Sequence, residues 1–80
     1  MPNAHTITNQ DRLIGRRIRR LREGIGMAQG DLGQAVGKNQ SYISRLEAGS
    51  FKIRLTTAAK IASKLGVTID SIAEPILETP

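Results

Sequence analysis

The sequence predicts an all-α fold, a single domain of five short helices, and three observations carry that prediction. Apolar residues recur at helical and not at alternating spacing. Glycines fall at the ends of those periodic stretches, where helices stop. No segment reads as a strand, an internal repeat or a low-complexity run, and 80 residues leave room for one small domain only.

Residues 1–10 are polar and lack an apolar period, so they read as a flexible N-terminal tail. The domain runs over 11–74. Leu13, Ile14, Ile18, Leu21 and Ile25 fall near helical spacing with arginines between them, which predicts a first helix from about Asp11 to Glu23, stopped by Gly24 and Gly26. Gln29 to Val36 forms the second helix, with Leu32, Ala35 and Val36 on one stripe and Gly37 as a left-handed C-cap. Asn39 is a good N-cap for a third helix through Ala48, ended by Gly49, with Ile43, Leu46 and Glu47 inward. Leu55 to Leu65 is the fourth, apolar at Leu55, Ala58, Ala59, Ile61, Ala62 and Leu65, with Gly66 at its C-cap. Thr68 caps a short fifth helix bearing Ile69, Ile72 and Ala73, which Pro75 terminates, leaving 75–80 as a C-terminal tail.

Composition narrows the function. Twelve Lys and Arg against seven Asp and Glu give a formal charge of +5, which points to a polyanionic partner. The charge is also polarised. Arg12, Arg16, Arg17, Arg19, Arg20 and Arg22 cluster in the first helix, whereas the chain after Leu65 carries Asp70, Glu74 and Glu78 and no Lys or Arg. With no Cys there is neither a disulfide nor a thiol metal site, in keeping with a reducing compartment. No apolar run approaches the roughly 20 residues of a membrane span, and no export signal opens the chain, so a cytoplasmic protein is expected. His5 has no partner ligands nearby in sequence, so no metal or other cofactor is implied. The serines lack a base and the acids are scattered, so an enzyme is not expected either.

Between Gln29 and Ala48 the residue types meet the needs of two helices packed across a tight turn. Gly33 is small where the helices cross, Gly37 permits a positive φ, and Leu32, Val36, Ile43 and Leu46 supply a shared core. The helix over about 40–48 turns Gln40, Ser41, Ser44 and Arg45 outward, a polar face with no acid on it. Gln and Arg each make two hydrogen bonds to a base edge and Ser makes one, so the face suits a DNA major groove.

Here the sequence resembles the phage repressor and Cro family of helix-turn-helix proteins, also called the Xre family, from about Ile14 to Ile72. The resemblance rests on Ile18-Arg19-Arg20-Leu21-Arg22, on Met27-Ala28-Gln29-Gly30-Asp31-Leu32-Gly33, on Ser41-Tyr42-Ile43-Ser44-Arg45-Leu46-Glu47-Ala48-Gly49 and on Ala59-Lys60-Ile61-Ala62-Ser63-Lys64-Leu65-Gly66-Val67. It implies a bacterial or phage-encoded regulator of transcription that binds double-stranded DNA. Gln40, Ser41, Ser44 and Arg45 would then read bases, and Gln29, Lys38, Asn39, Tyr42 and Lys52 would touch phosphates. The family's paired Arg and Glu fall on Arg22 and Glu47. Two departures stand out: Ala28 replaces the usual Ser or Thr N-cap, and Ile53-Arg54 replaces a common Pro-Ser before the fourth helix.

Plainer readings stand beside these. The arginines of the first helix also fit a merely solvated face, and Tyr42 fits a packing role as well as a phosphate contact. For assembly, Ile69, Ile72, Ile76 and Leu77 are expected to form a homodimer interface placing two recognition helices on a palindromic operator. The alternative is that Ile69 and Ile72 complete the core of one subunit. A protein-binding antitoxin or adaptor with autoregulatory DNA binding is the second functional reading.

Overall fold

The computed structural model describes residues 9–72, which form helices and turns with no strand among them. Helix α1 (Asn9–Gly24) turns Asp11, Ile14, Gly15, Ile18 and Arg22 inward, one stripe at intervals of three and four residues. It starts two residues earlier than the apolar pattern indicates, because Asn9 and Gln10 join its first turn. There the Asn9 side-chain Oδ1 accepts from Arg12 Nη1 at 3.2 Å. The rest of the expected N-terminal tail, and all of the expected tail 75–80, lie outside the described residues.

Helices α2 (Gln29–Val36) and α3 (Gln40–Glu47) make the helix-turn-helix. Gly37 caps α2 at φ 76°, a left-handed conformation that costs a glycine nothing. A Cβ at Gly33 would lie 2.7 Å from the Lys38 carbonyl oxygen, so only a glycine lets the entry to α3 come this close. Asn39 caps α3 by accepting the Tyr42 backbone N–H at 2.7 Å. At the corresponding position of α2, Ala28 offers no side-chain bond. Helix α4 (Leu55–Leu65) packs on α2, and α3 packs on both α1 and α2. A fifth helix, α5, occupies residues 69–72, where the description ends.

One core joins all five elements. Ile14, Ile18, Leu32, Ile43, Leu46, Ile61 and Ile72 are essentially inaccessible to solvent, and burying each stabilises the fold by about 1.5–3 kcal/mol. Five residues assigned to apolar stripes from the sequence are in fact exposed, three of them large. Leu13 (44% exposed) lies on the arginine side of α1, Ile25 (55%) falls in the turn beyond its end, and Leu55 (71%) is the first residue of α4, before the helix meets the core. Ala35 and Ala59 are likewise exposed.

The expected dimer interface also needs correction. Ile72 is wholly buried in its own subunit, because α5 folds back far enough to place this side chain in the shared core. It is not available to a second copy. Ile69 is half-buried against the same core, while Ile76 and Leu77 lie outside the described residues.

Candidate nucleic-acid interface

Helix α3 carries a single carboxylate, Glu47, and the fold turns it inward. Its side chain is 3% exposed and meets Arg22 of α1 through two parallel bonds, Nε to Oε2 at 2.6 Å and Nη2 to Oε1 at 2.9 Å. The planar guanidinium matches the carboxylate geometry, which makes such a fork both directional and strong. Arg22 Nη1 donates to the Met27 carbonyl oxygen at 2.6 Å, and Gln29 Nε2 donates to Glu47 Oε1 at 3.0 Å. The four groups tie the end of α1, the start of α2 and the end of α3 into one rigid junction. The bond to Glu47 holds the Arg22 pKa above its ordinary value despite the opposing effect of burial, so the guanidinium keeps its charge in the junction.

With Glu47 turned inward, α3 presents Gln40, Ser41, Ser44 and Arg45 to solvent, all exposed. Arg45 Nε lies 3.4 Å from the Ser41 carbonyl oxygen, and its guanidinium sits 6.0 Å from the centre of the Phe51 ring. Phe51 also meets Tyr42, with ring centres 5.0 Å apart and planes tilted by 50°. On the other side of Tyr42, Lys38 Nζ stands 4.9 Å from the ring centre. Lys38, Tyr42, Phe51 and Arg45 thus form a continuous row of alternating cations and rings beside the recognition helix. Tyr42 is half-buried in this row, a packing role that leaves its edge at the surface.

The residues assigned to phosphate from the sequence are not equally placed. Lys38 and Lys52 are exposed, and Asn39 is exposed with its side-chain oxygen already used as a cap. Gln29 is half-buried and its amide is engaged by Glu47, so it serves the junction as well. On α1, Arg16 and Arg20 lie on the outer face with Leu13, and Arg19 pairs with Glu23 at 3.1 Å in a solvated ion pair of small energetic weight.

Sequence reasoning missed Phe51 and Gly15. Phe51 is the chain's one phenylalanine, two residues past the glycine that ends α3, and a lone aromatic in a basic loop was the available signal. Gly15 sits on the buried stripe of α1 between Ile14 and Ile18; a Cβ there would lie 2.4 Å from the Leu46 carbonyl oxygen and 2.7 Å from that of Glu47. Among the described residues no three His, Cys, Asp or Glu side chains come together as a metal site, and no helix is long and apolar enough to cross a membrane.

A helix with an acid-free outer face, held across a tight turn by a buried ion pair, defines a helix-turn-helix DNA-binding domain. The chain belongs to the helix-turn-helix family of repressor-like proteins, whose pattern matches residues 18–72. The HTH-type transcriptional regulator y4dJ of Sinorhizobium fredii is 33% identical over 69 residues, covering 86% of this chain and 90% of that protein. An HTH-type transcriptional regulatory protein of Methanospirillum hungatei is 38% identical over 65 residues, 80% of this chain but only 20% of its own length. The crystal structure of the restriction-modification controller protein C.AhdI from Aeromonas hydrophila superposes with a TM-score of 0.71 at 29% identity, over 74% of this chain and 86% of the controller. The two curated relatives are named as regulators of transcription, and this chain is a transcriptional regulator with a helix-turn-helix DNA-binding domain.

Proposed function

We propose that the chain binds a specific double-stranded operator as a homodimer, α3 lying in the major groove of each half of a palindromic site. The inward turn of Glu47 carries this reading, since it leaves α3 an exposed face of Gln40, Ser41, Ser44 and Arg45 with no carboxylate to repel DNA. Arg45 and Gln40 take the bidentate base contacts, and Ser41 and Ser44 the single ones. Lys38, Lys52, Asn39 and Gln29 meet the flanking phosphates, with the edge of Tyr42 between them. Dimerisation falls to Ile69, Ile76 and Leu77 at the cation-free end of the chain, and gives half-site centres about 34 Å apart.

Selection of bound duplexes from a random pool tests the reading, followed by Arg45→Ala on the selected site. A palindrome with that spacing is expected, and Arg45→Ala should weaken it by about 1–3 kcal/mol while hardly changing affinity for random DNA. Equal losses on both duplexes would remove Arg45 from base reading.

A further inference from the structure

We propose that the groove between the end of α2 and the second half of α4 receives the C-terminal segment 74–78 of a second copy, each copy of the homodimer lending its segment to the other. The proposal rests on the homodimer reading above and names the surface that Ile76 and Leu77 meet. The groove has a volume of about 590 Å³, with Ala35 and Val36 of α2 on one side and Ala59, Lys60, Ser63 and Lys64 of α4 on the other. Its wall is mostly apolar, and among the described residues no carboxylate lines it.

Ala35 and Ala59 continue the apolar stripes of α2 and α4 beyond what the core covers, and both open into this one groove while remaining exposed. Apolar lining left over on two helices thus meets in one place, where an aliphatic side chain would displace water. Lys60 and Lys64 then select among aliphatic occupants. They lie one helical turn apart and are both exposed, so two ammonium groups stand along the same side of the groove and favour a segment with two acids. Glu74-Pro75-Ile76-Leu77-Glu78 is such a segment, an aliphatic pair bracketed by carboxylates in a stretch without Lys or Arg. Groove and segment are therefore complementary in both polarity and charge. The dimer needs this receptor, because Ile72 is spent in its own core and Ile69 is already half-buried, which leaves too little apolar area at that end for a stable interface. A two-fold axis makes the contact twice, each groove with the other copy's segment.

Charge reversal in two variants of the full chain tests the exchange, by sedimentation without DNA at a concentration where the wild type is dimeric. Lys60→Glu with Lys64→Glu alters the groove, and Glu74→Lys with Glu78→Lys alters the segment. Each variant alone should be folded by circular dichroism and weaken the dimer by about tenfold or more, because like charges then meet in both contacts. Mixed in equal amounts, the two should recover the dimer, since each groove faces a segment of opposite charge in the other copy. Ser63→Trp, which fills the groove at an exposed position and leaves the charge alone, should also give a monomer. A mixture that stays monomeric would overturn the exchange, because a segment seated on its own copy gains nothing from mixing. Groove variants that stay dimeric would overturn it as well, and the homodimer reading would survive if Ile76→Asp with Leu77→Asp is monomeric. A wild type that is monomeric both free and on its operator would remove the homodimer reading and the exchange together.

Discussion

Glu47 accepts three hydrogen bonds within a junction that also holds the Met27 carbonyl, and it is nearly inaccessible to water. Taking away one partner of a buried pair leaves the other charge desolvated and alone, which costs about 3–5 kcal/mol. A small domain has little more than that in total. Glu47→Ala should therefore melt at least about 12 °C lower, at roughly 4 °C or more per kcal/mol for a chain of this size. Calorimetry on the purified variant checks it; a melting curve overlying the wild type would mean that solvent reaches the pair. Ile72→Ala should be similarly harmful, at about 2–5 kcal/mol, since the side chain is fully enclosed. By contrast Leu55→Lys should change unfolding free energy by no more than about 0.5 kcal/mol, because that leucine is 71% exposed.

At the level of elements, the crossing of α1 over the end of α3 is set by Gly15. An added methyl would sit 2.4 Å from a backbone carbonyl oxygen, and neither helix has a flexible end there to give way. Gly15→Ala should cost about 1–3 kcal/mol through overpacking and should re-aim α3, so half-site preference drops more than affinity for random DNA. Thermal melting and competition binding measured together decide this; a stable variant of unchanged preference would move the crossing elsewhere. Gly30 gives the opposite case. It lies within α2 and nothing approaches its would-be Cβ within 4 Å, so Gly30→Ala should stabilise the helix by up to about 1 kcal/mol in urea titration.

For the whole molecule, the core of one subunit is already completed by Ile72, so the proposed dimer must rely on Ile69 and on Ile76 and Leu77. Ile72→Asp is consequently no test of assembly, as it would unfold the subunit first. The paired change Ile76→Asp with Leu77→Asp should give a folded protein that sediments as a monomer at micromolar concentration, with a melting temperature no longer dependent on protein concentration. Its operator affinity should fall steeply, because the two half-sites are no longer bound together. A dimeric double variant would place the interface elsewhere on the surface.

Much of the molecule is legible in the residue order itself. Helices α2 and α4, the Asn39 cap and the Gly37 turn follow from local causes, namely period, capping chemistry and permitted φ, which act within a few residues. The outward face of α3 is legible for the same reason. What the order of residues leaves open is whatever depends on which elements meet. Ile69 and Ile72 carry identical side chains three positions apart, yet one is half-buried and the other enclosed. The same holds for Leu13 beside Ile14, for Gly15 against the end of α3, and for Ala35 and Ala59 at a groove shared with Lys60 and Lys64. Burial and electrostatic convergence are properties of surfaces brought together from distant parts of the chain, so packing decides them and periodicity cannot.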